Sequence, residues 1–133
     1  MASGKSDYLE NKILGYIYTG AAFSAPANVH IALYTASPTD AGGGTEVSGG
    51  SYARLQKATT TTNFTLSGNL ITNAAAFVWP DATAAWGTVV AVGIFDAASG
   101  GNLLHWGDLT ASKTIASGDR FELPAGDLDI TED

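Results

Sequence analysis

The stretch that decides the fold is Trp86–Trp106, WGTVVAVGIFDAASGGNLLHW. Both alternating sets of side chains in residues 89–95 are largely apolar, which is typical of a central strand covered on both faces. Residues 96–102 supply turn residues, with two glycines that adopt positive φ without strain. Residues 103–106 return as a second arm, which ends at 107–108. The stretch therefore predicts a β-hairpin on which the other strands pair.

The chain on either side of this hairpin alternates between short apolar or β-branched segments and turn residues. Further strands are predicted at residues 29–34, 52–56, 59–66, 70–79, 113–115, 120–123 and 127–131. No helical segments alternate with these strands, which excludes an α/β fold. We expect a single mainly β domain over residues 1–133, an antiparallel two-sheet sandwich that is jelly-roll-like and carries one N-terminal helix.

The one predicted helix spans residues 7–18. Asp7 is expected to cap it, with Glu10 reaching back, and Gly20 is expected to close it. Residues 1–6 are expected to form a loose lead. The apolar positions at helical spacing are Leu9, Ile13, Tyr16 and Ile17. This stripe packs on the domain's own sheet or docks on a partner, and the sequence leaves both alternatives open.

The segment 41–50, AGGGTEVSGG, contains five glycines. Fixing such a segment costs roughly 1–2 kcal/mol per residue in backbone entropy. We therefore expect a contact loop that lies outside the fold, moves in the isolated protein and becomes ordered against a partner.

Composition limits the classes of function. Charged residues make up only 14% of the chain, against roughly 25% in an average soluble protein, so the surface is rich in Thr, Ser and Gly. The net charge is −7, and the six basic residues do not cluster, so direct nucleic-acid binding is not expected. Cysteine is absent, and no apolar run is long enough for a transmembrane helix. The start of the chain lacks the apolar core of a signal peptide, so we expect synthesis in the cytoplasm.

No catalytic motif is complete. Gly4-Lys5-Ser6 resembles the end of a P-loop but lacks the glycine that must precede it. His30 and His105 each lie within a strand pattern, and no G-x-S-x-G segment accompanies them. A small hydrolase is therefore the weakest of the functional alternatives.

Two further groups of residues have both a binding and a structural interpretation. Asp127 and Asp129 share one face of a strand, where they either bind calcium or act as solvated charges at a sheet edge. Trp79, Trp86 and Trp106 form either a platform for sugar rings or part of the packed interior. The structural interpretation is favoured in both cases, so no metal and no cofactor is expected.

Four segments in the same order resemble small virion structural proteins of tailed bacteriophages, a family often labelled tail fibre proteins. They are DYLENKIL (7–14), VHIALYTASPTDAGGGTEVSGGSYAR (29–54), AAWGTVVAVGIFDAASGGNLLHWGDL (84–109) and PAGDLDITED (124–133). The resemblance covers almost the whole chain. It implies a virion component without catalytic activity, and it transfers no catalytic residue.

Two locations in the virion fit this class. The first is a capsid decoration, or cement, protein that binds and stabilises the shell of major capsid protein, because a weakly charged surface is easily covered by neighbours. The alternative is a tail fibre or tail-tip module that binds a glycan or receptor on the host surface, although a chain of this size contains no shaft. We also expect a homo-oligomer, and specifically a trimer. The expected partner-binding residues are Tyr8, Leu9, Gly43, Gly44 and Asp129.

Overall fold

A computed structural model describes residues 3–132 of the chain. The elements are β1 (Ser3–Lys5), α1 (Asp7–Tyr18), β2 (Asn28–Ala36), β3 (Thr45–Glu46), β4 (Leu55–Ala58), β5 (Phe64–Ser67), β6 (Leu70–Asn73), β7 (Phe77–Val78), β8 (Gly87–Phe95), β9 (Leu103–Ile115), β10 (Glu122–Leu123) and β11 (Asp129–Thr131).

The predicted hairpin is present as β8 and β9, at the centre of a six-stranded antiparallel sheet. The strand order is β1-β9-β8-β2-β3, and β4 also pairs with β2. The hairpin's second arm does not end at 107–108 as predicted. It continues to Ile115, because residues 109–112 form a bulge opposite Val90 and pairing resumes at Lys113. The separate strand predicted at 113–115 is therefore the far end of β9.

The second layer of the sandwich consists of two smaller antiparallel sheets, β10-β7 and β11-β6-β5. Between the layers, Trp79 packs edge-on against Phe121 at a ring-centroid distance of 5.2 Å. The strands of the large sheet contribute Ile31, Leu33 and Val89, all fully buried, to the same core. The predicted mainly β antiparallel sandwich with one N-terminal helix is confirmed.

The large sheet also carries a smaller apolar cluster on its opposite face. Its buried members are Ala32, Tyr34, Ala91, Phe95 and Leu103. Both faces of β2 and β8 are thus covered, which is why these strands are apolar at nearly every position.

The N-terminal lead is more ordered than predicted. Residues Ser3–Lys5 form β1, which extends the large sheet by pairing with Trp106 and its neighbours on β9. The helix begins and ends as predicted, but the cap is Ser6 and not Asp7: the Ser6 side chain accepts a hydrogen bond from the Leu9 amide at 3.1 Å. Gly20, at φ 70°, closes the helix.

The prediction that the loop 41–50 lies outside the fold is wrong. Thr45–Glu46 pairs with β2, and Val47 is buried in the main core. Gly44 has a φ of 75°, and a Cβ there would lie 2.6 Å from the Ala36 carbonyl oxygen. Such glycines allow a tight path against the sheet. The composition indicated mobility, whereas two of the five glycines, Gly44 and Gly50, allow close packing against neighbouring backbone.

Candidate functional site

A cluster around Arg54 ties the glycine-rich loop to the turn of the core hairpin. The guanidinium donates two hydrogen bonds to Glu46, both 2.9 Å long, and two more to the carbonyl oxygens of Ala97 and Gly100, at 3.0 and 2.8 Å. It also lies 3.7 Å from the centre of the Phe95 ring. The Arg54 side chain that makes all of these contacts is only 8% exposed. We call Arg54 and these contact partners the Arg54 cluster.

The electrostatics of the Arg54 cluster favour the ion pair. Burial opposes ionisation of Glu46, but the hydrogen bonds from Arg54 and from the Tyr52 hydroxyl outweigh it and lower the pKa of Glu46. The bond to Glu46 raises the pKa of Arg54. Burial raises the pKa of Tyr52, whose hydroxyl donates to Glu46 and accepts from the Leu33 amide. The loop is therefore held by a charged, fully bonded group.

Beside this cluster, a groove of about 390 Å³ crosses the opposite face of the large sheet. Its walls are the start of α1, the loop at 40–43 and the turn at 101–103. Tyr34 and Phe95 form its floor. The Ser6 hydroxyl donates to the Leu103 carbonyl, and the Asp7 amide donates to the Asp40 carbonyl at 2.8 Å. These bonds join the three walls, so the groove is preformed.

The groove brings together two of the five residues predicted to bind a partner. Tyr8 and Gly43 lie on facing walls, Tyr8 half-buried and Gly43 exposed. Leu9 lies in the main core, and Gly44 packs against Pro38 beyond the groove. Asp129 lines a separate cleft between β9 and the C-terminal segment. The Leu9 side chain is only 8% exposed, so little of it is available to a partner.

A second surface feature is the C-terminal half of α1. Of the two alternatives for the apolar stripe, Leu9 and Ile13 follow the first and pack on the core, but the stripe does not continue to the end of the helix. Four large apolar side chains there are more than half exposed: Leu14, Tyr16, Ile17 and Tyr18. We call them the exposed helix face. Large apolar side chains exposed in this number on one short helix are typical of an interaction site.

The start of α1 and the adjoining loop also carry a group of carboxylates. One oxygen from each of Asp7, Glu10 and Asp40 lies within 4.8 Å of the others, and all three residues are exposed. Asp40 also accepts a hydrogen bond from the Trp106 indole at 2.8 Å. The arrangement has the donor type that Ca²⁺ prefers, but exposed acidic groups are common on surfaces that bind no ion.

Three of the side chains weighed for catalysis or binding, His105, Trp79 and Trp86, occupy structural positions. His105 lies 2.7 Å from Glu132, which also pairs with Lys5 at 2.6 Å and thereby fastens the C-terminal segment to β1 and β9. These hydrogen bonds from Lys5 and His105 outweigh partial burial and lower the pKa of Glu132. Trp79 and Trp86 are buried in the core, so the three tryptophans form no shared platform.

Sequence reasoning missed Arg54, Glu46 and Tyr34, which shape the groove and its surroundings. Arg54 is one of only six basic residues and follows the glycine-rich loop closely. A rare basic residue so close to this loop could have indicated an ion pair within the fold. Tyr34 looked like one more apolar strand residue, and the sequence held no sign that its hydroxyl would be left without a partner.

These features define a small antiparallel β-sandwich with a preformed groove and exposed apolar side chains on its helix. The family model described as Podophage GP4 fiber I protein gp80 matches residues 4–131. The chain therefore belongs to this family, and it is a phage virion structural protein of the fibre type. A search of curated proteins finds no match. Within residues 3–132, no helix has the length and apolar character needed to cross a membrane.

Proposed function

We propose that this chain is a non-enzymatic component of a fibre on the exterior of a phage particle. The observation that carries the proposal is the family match, which extends over residues 4–131 and thus over nearly the whole sandwich. The geometry supports it. Among the described residues, the buried charged side chain of Arg54 holds two loops together. The surface features that remain accessible include the groove and the exposed helix face.

Assembly with copies of the same chain is part of the proposal. The chain carries a net charge of −7, so two copies repel one another at most of their surface. Residues 13–39 contain no Asp, Glu, Lys or Arg, and the exposed helix face lies within this uncharged segment. Contact through that face buries apolar area without bringing like charges together. Closed symmetry then favours a small ring, and we propose a trimer.

Capsid decoration is the second candidate, with the major capsid protein as the partner. The low proportion of charged residues and the exposed helix face support it, since both suit a surface that neighbours cover. The family description favours the fibre over the capsid. The two candidates differ in where the protein sits on the particle.

Immunogold electron microscopy of purified virions tests the proposal. Antibody raised against the folded chain should label fibres, and a phage that lacks the gene should assemble full heads but bind host cells poorly. Gold distributed evenly over the capsid shell, with heads that lose stability on deletion of the gene, would overturn the fibre proposal in favour of capsid decoration.

A further inference from the structure

The cleft between β9 and the C-terminal segment has an apolar floor that belongs to both layers of the sandwich. Its volume is about 350 Å³. The large sheet and the second layer each contribute apolar side chains to its lining: Val92, Ile94, Leu109, Leu123, Leu128 and Ile130. Leu109 and Ile130 are only partly buried, so a side chain from outside can contact them. The volume is at the lower end for ligand pockets, which suits one inserted side chain and not a folded domain.

The rim of this cleft concentrates negative charge. Five of the chain's 13 acidic residues line it: Glu10, Asp40, Asp108, Asp127 and Asp129. Among the described lining residues, the one Lys or Arg is Lys5, which pairs with Glu132 at 2.6 Å, and His105 pairs with the same carboxylate at 2.7 Å. None of the four ion pairs formed within residues 3–132 includes a rim carboxylate. We call this site the acidic cleft.

The rim carboxylates come from separate elements around the apolar floor. Asp40 accepts a hydrogen bond from the Trp106 indole at 2.8 Å, which holds its carboxylate at this cleft. Gly4 leaves room for it, because a Cβ there would collide with the Asp40 carboxylate. Three other rim residues are exposed, and their carboxylates accept no hydrogen bond from residues 3–132: Glu10, Asp127 and Asp129.

An uncompensated negative rim around an apolar floor specifies the chemistry of the occupant. Anions are repelled, and so is a second copy of this chain, which has a net charge of −7. In an extended peptide, alternate side chains point to the same side and lie about 7 Å apart. A segment with basic, apolar and basic residues at alternate positions can therefore place the apolar side chain on the floor and its charges at the rim.

We propose that the acidic cleft binds an extended basic peptide segment of another protein of the particle. The apolar side chain of that segment lies between the two layers, and its Lys or Arg side chains pair with the exposed rim carboxylates. Asp129, predicted from the sequence as a contact residue, thereby has a partner of defined chemistry. The inference goes beyond the proposed fibre function, to which it adds an attachment site.

The test is a titration of the ¹⁵N-labelled full chain with the peptide acetyl-Lys-Ser-Leu-Ser-Lys-amide, at pH 7 and low ionic strength, followed by amide chemical shifts. Saturable shifts should centre on residues 107–109 and 129–131. Two matched peptides separate the two requirements: acetyl-Glu-Ser-Leu-Ser-Glu-amide reverses the charges, and acetyl-Lys-Ser-Ser-Ser-Lys-amide removes the apolar side chain. Each should bind at least about fivefold more weakly, because one loses the charge contacts and the other the burial of leucine.

Asp129→Asn removes one exposed rim charge that no residue from 3 to 132 bonds, so folding should be unaffected. It should weaken binding of the Lys-Ser-Leu-Ser-Lys peptide about threefold, as expected for one exposed ion pair. The matched control is Glu122→Gln, because Glu122 is exposed and lies outside the cleft lining. Both variants lower the net negative charge by one, and the control should bind as the parent does.

Four results would overturn the inference: no saturable shift with the basic peptide, equal binding of either matched peptide, equal binding by Asp129→Asn and Glu122→Gln, or the same shifts on concentrating the free protein, which would assign the cleft to a second copy. None of them bears on the fibre location, which immunogold labelling decides independently. Fibre labelling together with a silent cleft would therefore reject this site and leave the proposed function standing.

Discussion

Replacement of Arg54 by lysine tests whether the Arg54 cluster holds the glycine-rich loop in the fold. Lysine keeps the charge but offers its donors from a single nitrogen. It therefore cannot span both oxygens of Glu46 and the carbonyl oxygens of Ala97 and Gly100, which Arg54 bonds at 2.8–3.0 Å. It also loses the flat contact with Phe95.

The magnitude follows from the bonds lost. A hydrogen bond to a charged group contributes about 1.5–3 kcal/mol, and a desolvated cation–π contact adds up to about 2 kcal/mol. Lysine keeps one Glu46 contact, and water replaces the bonds to the carbonyl oxygens of Ala97 and Gly100, which are partly or fully exposed. The lost second bond to Glu46 and the lost ring contact together amount to about 3 kcal/mol. At about 2.1 cal/mol/K per residue, the unfolding entropy of 133 residues is about 0.28 kcal/mol/K. The melting temperature should fall by about 10 °C.

Differential scanning calorimetry at pH 7 measures this change. The matched control is Arg120→Lys, because Arg120 pairs with Asp81 at 2.7 Å while both side chains are 56% exposed. Exposed pairs of this kind contribute little, so the control should melt as the parent does. If Arg54→Lys melted within about 3 °C of the parent, as the control should, the Arg54 cluster would not be what orders the loop.

Three further predictions concern the core, the pH dependence and assembly. Trp86 is buried and donates to the Gly50 carbonyl at 2.9 Å, so Trp86→Ala should cost about 3–5 kcal/mol in urea unfolding; an unchanged midpoint would contradict its core position. The pKa of Glu46 is lowered in the fold, so its contribution is complete above the unfolded pKa of about 4.3 and is lost as pH falls through the lower folded value. The stability gap between the parent and Glu46→Gln should thus be widest at pH 7 and close towards pH 3, and a gap independent of pH would argue against the charged pair. Ile17→Glu, on the exposed helix face, should shift the oligomer towards monomer in light scattering with an unchanged melting temperature, whereas an oligomer of unchanged mass would exclude that face as the contact.

The elements that sequence reasoning predicted are those set by local patterns. The core hairpin and the helix over residues 7–18 follow from periodicity and turn chemistry, which act within a few residues. The end of β9 was missed because the bulge at 109–112 depends on its partner strand and leaves no clear local signal.

The misreading of the loop 41–50 has a different cause. Glycine favours both flexible chain and tight packing, and only the surroundings decide between them. The surroundings here are distant in sequence: a Cβ at Gly50 would lie 2.6 Å from the Ala84 carbonyl oxygen. The groove likewise joins residues from four separate segments. Tyr8 and Gly43 were predicted as contact residues singly, without the Tyr34 floor that connects them.

The central claim, that this chain belongs to a fibre, is tested most directly by its copy number in purified virions. Quantitative mass spectrometry measures the ratio of this chain to the major capsid protein, with labelled peptides of both as internal standards. A fibre component should be present in a few to a few tens of copies per particle. A ratio near one copy per major capsid protein would contradict the fibre assignment and establish a protein that decorates the shell.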